Sequence, residues 1–538
     1  MIENKTKIII SNSGHEWTYR DYKDFQIWSA GDSEFTRILL EKKSKNFDVN
    51  KIKDILKNIN KNFSCIIKTK DDVYAIVDHC RSIPIFYSID EFSKDIIISN
   101  SAKIIKQQAN LNDIDKVSAL EIAMAGYVTG YETLYKNLFQ LKAGEFLFCY
   151  ENNHTKCKYY DYLPENIFNC SESEMSKKFG AILDKVIIDT IEKANGRKIW
   201  LPLSAGLDSR LLLCKFIEHK YKNVFTFSYG PNNNDEAKAA SLIAKILGVA
   251  WLFVCSTRGY MKSFFVSRER ESYWDYSDNL CSIPTFQDYL VLSKLNHKKK
   301  LPQNILMVNG QTGDFISGGH IPKQLMQENV TIDDLLESII SKHYSLWDTL
   351  KTSGNITIIK QKILKVLDLR ADGRYSQNEL IAAYEKWEYQ ERQSKYVVNG
   401  QRNYEFLGLD WSLPFWDKRI VQFWKRVPFE YKFKQRLYKY FLYQYDFRKL
   451  FSNKDYIVWQ WPGFMKIILP ICRVIRLTLG YKARDNFIKA MLYFGMYRDL
   501  YAHLTYKEFF KYYRDARNPV SFFSKQWLVE KGVKFDSI

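Results

Sequence analysis

The sequence predicts a chain of three parts: a β-rich N-terminal domain of the α+β class, an α/β domain, and a mainly helical C-terminal part. Up to about Pro164, short β-branched or aromatic runs alternate with polar breaks, which is typical of strands and turns. Between Lys198 and Asn309, strand-like and helix-like runs alternate, which indicates a parallel sheet with helices on both faces. Beyond about Thr331 the pattern is mainly helical and rich in aromatic residues. The predicted domains are 1–165, 170–455 and 456–538.

The N-terminal prediction depends on runs of β-branched and aromatic residues that are four to six residues long, as strands usually are. Each run is bounded by polar residues, which favour turns. The predicted strands are Lys7–Ser11, Ser64–Lys68, Val73–Val77, Ile83–Tyr87, Asp95–Ser99 and Glu145–Tyr150.

The central domain opens with a helix-start signal. Ser171 followed by Glu174 is typical of a capping box, and the apolar residues after it keep a helical period. The alternating elements then follow: strands at Lys198–Leu203, Val224–Ser228, Ala250–Cys255 and Asn304–Asn309, and helices at Asp208–Glu218 and Asp235–Leu247. Gly248 ends the second of these helices. In such a sheet, ligands bind at the carboxyl ends of the strands.

Composition excludes several classes of protein. The 538 residues are 46% apolar and 26% charged, which is ordinary for a globular chain. No apolar stretch reaches the length of a membrane span, and the N-terminus lacks a signal-peptide core, so we expect a cytoplasmic protein. None of the nine cysteines form a Cys-x-x-Cys pair, which argues against a disulfide framework or a zinc knuckle.

The positive charge is concentrated at the C-terminal end. Residues 411–538 contain 25 Lys and Arg against 10 Asp and Glu, which is +15 of the total of +19. Residues 456–484 contain no acidic residue, and Lys466, Arg473 and Arg476 share one helical face within an apolar run. We expect either a helix that contacts a membrane surface or a packed helix with surface cations. Pro470 argues against one straight helix.

One segment carries the strongest functional signal. Ser204-Ala-Gly-Leu-Asp-Ser209 lies where the first parallel strand ends and a helix begins. Its small residues allow a tight turn, and the amides at a helix start attract anions. Asp208 would repel a phosphate alone, but a magnesium ion would bridge the two. No Walker A pattern occurs in the chain.

This segment resembles the PP-loop, Ser-Gly-Gly-x-Asp-Ser, of the ATP pyrophosphatase superfamily, and is most similar to the loop of asparagine synthetases. Residues 308–320 resemble that family's Ser-Gly-Glu-Gly-Ala-Asp-Glu-Leu-Phe-Gly-Gly-Tyr loop, and residues 410–417 its Glu-Ala-Arg-x-Pro-Phe-Leu-Asp segment. Residues 78–87 resemble a turn of its glutaminase-like domain. The resemblance covers roughly residues 60–460 in the family's order. It implies an Ntn-type N-terminal domain and a PP-loop synthetase domain.

Three departures from the family pattern bear on function. The glutaminase nucleophile, a cysteine after the initiator methionine, is replaced by Ile2, which cannot act as one. We therefore expect a degenerate glutaminase-like domain without glutaminase activity. Gln311 stands where the family has an acidic residue or a tyrosine, and it has no titratable group. Asp410 replaces the family glutamate and keeps a carboxylate.

The resemblance also implies roles for individual residues, with ATP and Mg²⁺ as cofactors. Asp208 and Asp314 would hold magnesium, and Lys454, Asp410 and Gln311 would be catalytic, with Lys439 as the fallback lysine. Glu236 would contact substrate. The implied ATP and pyrophosphate contacts are Leu203, Ser204, Gly206, Leu207, Asp208, Ser209, Phe227 and Gly310.

The expected activity is that of a carbon–nitrogen ligase, an ATP-dependent and AMP-forming amide synthesis of the asparagine synthase type. The acid would be aspartate, an amino-acid derivative that cyclises, a peptide or a sugar uronic acid, and nitrogen would come from ammonia, a separate amidotransferase or a substrate amine. A second reading is a PP-loop enzyme that modifies tRNA; the absence of a recognisable RNA-binding module disfavours a nucleic-acid partner. A third is a non-catalytic binding protein descended from the family, and the retained Asp208 and Asp314 count against it.

Overall fold

A computed structural model describes residues 6–11, 16–41, 47–151, 153–230, 232, 234–285, 288–452, 463–499, 504–512 and 514–538. The N-terminal part contains two sheets packed face to face. One is antiparallel in the order β10-β9-β5-β4-β3-β2, and the other is mixed in the order β1-β7-β6-β8. Their strands are β1 (Thr6–Ile9), β2 (Thr18–Asp21), β3 (Gln26–Gly31), β4 (Phe63–Lys68), β5 (Asp72–Val77), β6 (Phe86–Ile89), β7 (Ile96–Ser99), β8 (Leu138–Gln140), β9 (Glu145–Tyr150) and β10 (Asn153–Lys158).

Helices cover the outer faces of both sheets. They are α1 (Glu34–Glu41), α2 (Val49–Asn58), α3 (Ala102–Gln108) and α4 (Lys116–Ala125). Phe35 and Ile55 pack on the six-stranded sheet, whereas Ile105 packs with Phe86 of the four-stranded sheet. The resulting layers are helix, sheet, sheet and helix. Helices are expected in an α+β domain, but the sequence pattern located only strands and turns here, and the positions of these four helices were not predicted.

All six predicted N-terminal strands exist, but one of them starts later than predicted. The run at Ile83–Tyr87 becomes a strand only at Phe86. The reason is a turn just before it, in which the Asp78 carboxylate accepts the amides of Cys80 and Ser82, each at 3.0 Å. Arg81 has a left-handed φ of 55° in that turn, and Pro84 has no amide to donate to a neighbouring strand.

The central domain is built on a five-stranded parallel sheet in the order β13-β12-β11-β14-β15. The strands are β11 (Lys198–Pro202), β12 (Val224–Gly230), β13 (Ala250–Cys255), β14 (Ile305–Val308) and β15 (Asp410–Ser412). From β11 the chain adds β12 and β13 on one side and then β14 and β15 on the other. This reversal forms a crevice at the carboxyl ends of β11 and β14, where ligands bind in open α/β sheets.

Helices α5 (Glu172–Ala194), α6 (Leu207–Glu218) and α7 (Asp235–Leu247) agree closely with the sequence pattern. The capping box at Ser171 and Glu174 is formed, and Gly248 adopts the left-handed conformation that ends α7. The later helices are α8 (Arg258–Phe265), α9 (Arg268–Ser277), α10 (Tyr289–His297), α11 (Gly313–Ile316), α12 (Ile332–His343), α13 (Ser353–Leu367), α14 (Gln377–Trp387), α15 (Arg402–Glu405), α16 (Lys418–Lys425), α17 (Phe429–Lys432), α18 (Arg436–Tyr445), α19 (Gly463–Asp499), α20 (Tyr506–Tyr512) and α21 (Pro519–Glu530).

The end of the chain returns to the N-terminal part. Ser524 of α21 donates to the Ala123 carbonyl of α4 at 3.4 Å, and the amide of Leu346 donates to the Met124 carbonyl at 3.0 Å. All of α4 from Ser118 to Ala125 is therefore buried. A π-helical segment, Glu388–Val397, continues α14 towards the sheet. Such segments often lie at functional sites.

Candidate functional site

The loop between β11 and α6 forms one wall of the crevice. The amide of Ser204 donates to the Ser209 hydroxyl at 3.2 Å, and the amide of Gly206 donates to the Ser204 hydroxyl at 3.0 Å. Gly206 is the N-cap of α6, and no side chain caps the helix there. The first amides of α6 are therefore available to an anion beside the positive end of the helix dipole.

Arg210, buried under this loop, fixes its position. Its guanidinium donates to the Ala205 carbonyl at 2.5 Å and to the Leu450 carbonyl at 2.7 Å. The second bond ties the loop to the segment that precedes residue 453. The candidate lysine Lys454 follows Leu450 by four residues but lies outside the described residues.

Two carboxylates, those of Asp208 and Asp314, share the crevice. Burial, with the negative charge of Asp314, raises the pKa of Asp208 to about 7. Tyr438 from α18 donates to Asp208 at 2.8 Å. Burial alone would raise the pKa of Asp314 as well, but the hydrogen bond and charge of His320 hold it below its usual range. A divalent cation would offset the repulsion between the two carboxylates.

Glycines on the opposing loop keep the carboxylates in place. A Cβ at Gly313 would lie only 2.5 Å from the Asp208 carboxyl carbon, and one at Gly310 would lie 3.1 Å from the Ser209 nitrogen. Real Cβ atoms do not approach other atoms as closely as 2.5 Å. The loop after β14 therefore depends on glycine to approach the loop after β11.

Because of this close approach, Gly313→Ala is expected to displace the Asp208 carboxylate and to weaken any ligand that Asp208 holds by about tenfold or more. The control is Gly354→Ala in α13, where a Cβ meets nothing within 4 Å. That change should leave binding unaltered and stabilise the helix by about 0.5–1 kcal/mol. Ligand titration and thermal unfolding of both variants test this. Equal ligand affinity in the two variants would contradict it.

The buried carboxylate of Glu388 is linked to Asp314 through the His320 ring. The Asp314 carboxylate is 3.0 Å from His320 Nε2, and the Glu388 carboxylate is 2.5 Å from His320 Nδ1. Burial opposes protonation of His320, but these two hydrogen bonds outweigh it and raise its pKa to about 9. His320 is therefore a cation at neutral pH and fixes the orientation of Asp314.

Glu388, on the π-helical segment, is fully buried and surrounded by donors and cations. Lys342 Nζ lies 3.1 Å from its carboxylate, and an Arg392 guanidinium nitrogen lies 3.5 Å away. Tyr384 donates to it at 3.0 Å. Burial alone would raise the pKa of Glu388, but the neighbouring histidines hold it well below its usual range. Lys342 and Arg392 each remain 31% exposed, so they also present positive charge near Asp314.

A second buried network connects the strand ends. Asp288 accepts hydrogen bonds from Tyr229 at 2.5 Å and from Tyr404 at 2.6 Å. Asn309, just after β14, donates to the Tyr404 hydroxyl at 3.0 Å. Burial raises the pKa of Asp288. These bonds hold the ends of β12 and β14 in register around the crevice.

Most of the nucleotide contacts implied by the family resemblance lie around this crevice. Leu203 and Phe227 are buried and joined by a backbone hydrogen bond of 2.8 Å at the ends of β11 and β12. Leu207 begins α6. Gln311 follows Gly310, and its side-chain oxygen accepts from Gln401 at 2.8 Å. These placements leave the assigned roles as predictions.

Three other residues fit their expected roles less well. Asp410 starts β15, beside Leu306, at the end of the sheet away from the crevice. It forms ion pairs with Arg197 at 3.0 Å and Lys193 at 3.6 Å, and its catalytic role stays a prediction. Lys439, the fallback lysine, is exposed and donates to the Lys434 carbonyl at 2.9 Å.

Glu236 is exposed in the first turn of α7, on the crevice side of β12. Its charge contributes, after burial and Asp288, to the raised pKa of Tyr229, so it lies beside the second network. A contact between Glu236 and substrate stays a prediction.

The sequence analysis missed Arg210, His320, Glu388 and Tyr438. Arg210 directly follows the first motif segment and His320 ends the second, so both could have been noticed by their position. Glu388 and Tyr438 are 68 and 118 residues beyond His320, in helices without a motif, so no local signal marks them.

A family match covers the part of the chain that forms the crevice. A model of the asparagine synthase family matches residues 197–445, the range that contains both site loops. A search of the curated proteins finds no match.

Two of the solved structures that resemble the chain are "Structure of the allosteric regulatory enzyme of purine biosynthesis" and glutamine phosphoribosylpyrophosphate amidotransferase from B. subtilis complexed with ADP and GMP. Identity is 9% to each, with TM-scores of 0.18 and 0.17. The matches cover 44% and 55% of this chain, and 62% and 57% of those chains. The chain thus spans about three fifths of their length, and its fold is described from its own structure. The match over residues 197–445 is consistent with a member of the asparagine synthetase family.

Proposed function

We propose that this chain is an ATP-dependent, AMP-forming ligase that adenylates a carboxylate and transfers ammonia or an amine to it. One observation carries the proposal: Asp208 and Asp314 share the crevice beside the uncapped start of α6. Two carboxylates can bind a divalent cation, and the free amides at the start of α6 can bind the polyphosphate that the cation accompanies. The match to the asparagine synthase family supports the same reaction class.

The residues present fit magnesium and ATP. Asp208 and Asp314 supply hard carboxylate oxygens, and Gly310 and Gly313 let the loop after β14 approach Asp208 without displacing its carboxylate. When bound, magnesium would neutralise negative charge that develops on the phosphoryl oxygens. Ser204, Gly206 and Ser209 would hold pyrophosphate through hydroxyl and amide groups. Leu203, Phe227 and Gly310 would contact the adenosine.

The chain's own residues have distinct tasks in this reaction. A carboxylate oxygen of the substrate attacks the α-phosphorus of ATP, and pyrophosphate leaves; an amine then attacks the acyl carbon, and AMP leaves. Tyr438 and His320 orient the two aspartates. Lys342 and Arg392 present positive charge on the Asp314 side, where they would stabilise the departing pyrophosphate. Lys454 remains a further candidate for that task, and Gln311 would orient substrate through its amide.

The N-terminal domain is proposed to be a degenerate Ntn-type scaffold. Its helix–sheet–sheet–helix layers support that assignment, although Ile2 itself lies outside the described residues. The nitrogen would then come from free ammonia, from a separate amidotransferase protein, or from an amine on the substrate. The acid would be a small carboxylate such as aspartate, or a glycan carboxylate.

We therefore predict that the purified chain releases no glutamate from glutamine, because an isoleucine side chain has no nucleophile. The measurement is glutamate release with and without MgATP, compared with a buffer blank. An Ile2→Cys variant is the matched comparison, because it places a thiol at the position where the family has its nucleophile. Glutamate release by the wild-type chain above the blank would refute the prediction.

Product analysis tests the proposed reaction. MgATP, ammonium and a panel of small and uronic carboxylates are incubated with the protein, and phosphorus NMR identifies the products. AMP and pyrophosphate are expected with at least one acid, and the acid that supports turnover identifies the substrate class. Formation of ADP and phosphate instead would show cleavage at the wrong bond and overturn the proposal.

A further inference from the structure

The first part of α19 exposes large apolar side chains instead of burying them. Leu477 is 78% exposed, Ile467 75%, Val474 59% and Ile471 48%. Leu479 (71%) and Leu469 (40%) are exposed as well. Ordinary globular surfaces carry such residues singly, whereas six of them on one helix form a patch. The helix continues across Pro470 and breaks at Gly480, where φ is 84° and ψ 177°. The break therefore lies at the glycine and not at the proline that the sequence analysis singled out.

Four of the exposed aliphatic residues form one stripe along the helix. Their separations of four, three and three residues place Ile467, Ile471, Val474 and Leu477 on one face. Arg473 lies four residues before Leu477 and three before Arg476, so the two arginines are neighbours on the flank of the stripe. Both are exposed. An apolar face bordered by a row of cations is the pattern of helices that lie in a membrane interface.

The charge of the segment is of one sign. Residues 463–484 contain five Lys and Arg and no acidic residue. Tyr481 follows the break, is 65% exposed, and lies under the guanidinium groups of Arg476 at 5.6 Å and Arg484 at 5.1 Å. Aromatic rings with adjacent cations are favoured at the level of lipid headgroups. No helix within the described ranges combines the length and apolar character needed to cross a bilayer.

We propose that residues 467–481 dock the protein on the surface of an anionic phospholipid bilayer. The stripe enters the boundary between headgroups and acyl chains, and Arg473, Arg476 and their neighbours contact lipid phosphates. A nucleic acid would satisfy the cations but would leave six exposed aliphatic side chains in water, so the apolar surface favours lipid. No residue of the crevice described above belongs to this surface, so we expect docking to leave the ligand affinity of the crevice unchanged.

Vesicle sedimentation with the full-length protein tests the proposal. Vesicles of phosphatidylcholine alone are compared with vesicles that also contain phosphatidylglycerol, at low and at high salt. Wild-type protein is expected to sediment with the anionic vesicles at low salt, less at high salt, and weakly with the neutral ones. Because each cation near an anionic surface contributes about fivefold in binding, Arg473→Gln with Arg476→Gln should weaken it by roughly 25-fold.

A second variant changes only the apolar contribution to vesicle binding. Ile467→Gln, Val474→Gln and Leu477→Gln together keep the charge and should remove the binding that persists at high salt. Exposed residues elsewhere provide matched controls: Lys298→Gln with Lys300→Gln for charge, and Val266→Gln for apolar exposure. These controls should sediment like wild type, and all variants should bind MgATP like wild type.

Three results would overturn the proposal. Wild-type protein that ignores anionic vesicles at low salt would show that the stripe does not dock on lipid. Undiminished vesicle binding by the apolar variant would show a general electrostatic attraction and not a docking surface. RNA that binds the wild-type and apolar variants equally and displaces the vesicles would assign the cations to nucleic acid.

Discussion

Replacing Asp208 or Asp314 by alanine is expected to abolish ATP–pyrophosphate exchange, with a loss of at least about a thousandfold in rate. The two carboxylates share the crevice, and each would supply an oxygen ligand that no neighbour can replace. Exchange is measured with the acid that supports turnover. Asp235→Ala, at an exposed position in the first turn of α7, is the matched control and should exchange normally. Normal exchange by both site variants would refute the metal assignment.

A stability measurement on Asp208→Asn separates the loss of a metal ligand from a loss of folding. Burial and Asp314 raise the pKa of Asp208 to about 7, above that of an unfolded chain. Without magnesium, the folded state therefore binds the extra proton between about pH 4 and pH 7, and its stability falls as pH rises through that range. Asp208→Asn removes this loss. In EDTA at pH 8, the variant should unfold at a temperature no lower than that of the wild type, and a lower value would contradict this account.

Glu388→Ala is expected to lower the free energy of unfolding by about 1–3 kcal/mol, because it leaves three partly exposed cations without the buried carboxylate that they contact. His320, Lys342 and Arg392 all lie within 3.5 Å of this carboxylate. Glu388→Gln keeps the size and part of the hydrogen bonding, so we expect a smaller loss. Denaturant titration measures both.

The control for this prediction is Glu337→Ala, an exposed position on α12, which should change stability by no more than about 0.5 kcal/mol. Glu388→Ala should also weaken MgATP binding by about tenfold to a hundredfold, since His320 would no longer be held against Asp314. A stable Glu388→Ala variant with wild-type affinity would show that this cluster neither supports the fold nor orients the site.

The parts of the fold that could be predicted from sequence have local causes. The capping box at Ser171, the left-handed Gly248 and the β-branched strands of the parallel sheet are each determined by a few consecutive residues. Helix α4 was missed because it is buried on every side, so its sequence has no apolar period to detect.

The sequence likewise predicted only those site residues that belong to a local motif. Asp208, Asp314 and the glycines near them are part of two short motifs, and the strand order then brings those motifs together. Glu388 and Tyr438 reach the site only through packing of distant helices. Asp410 was assigned by its motif and begins β15, paired with Leu306, so its catalytic role stays a prediction.

The central claim is that the crevice between the loops after β11 and β14 binds ATP through magnesium. Isothermal titration of ATP into the full-length protein, with magnesium or with EDTA, tests it without knowledge of the acid. The account predicts binding that requires magnesium, is displaced by pyrophosphate, and is lost in Asp208→Ala but kept in Asp235→Ala. Absence of binding by the wild type, or equal affinity in wild type and Asp208→Ala, would contradict it.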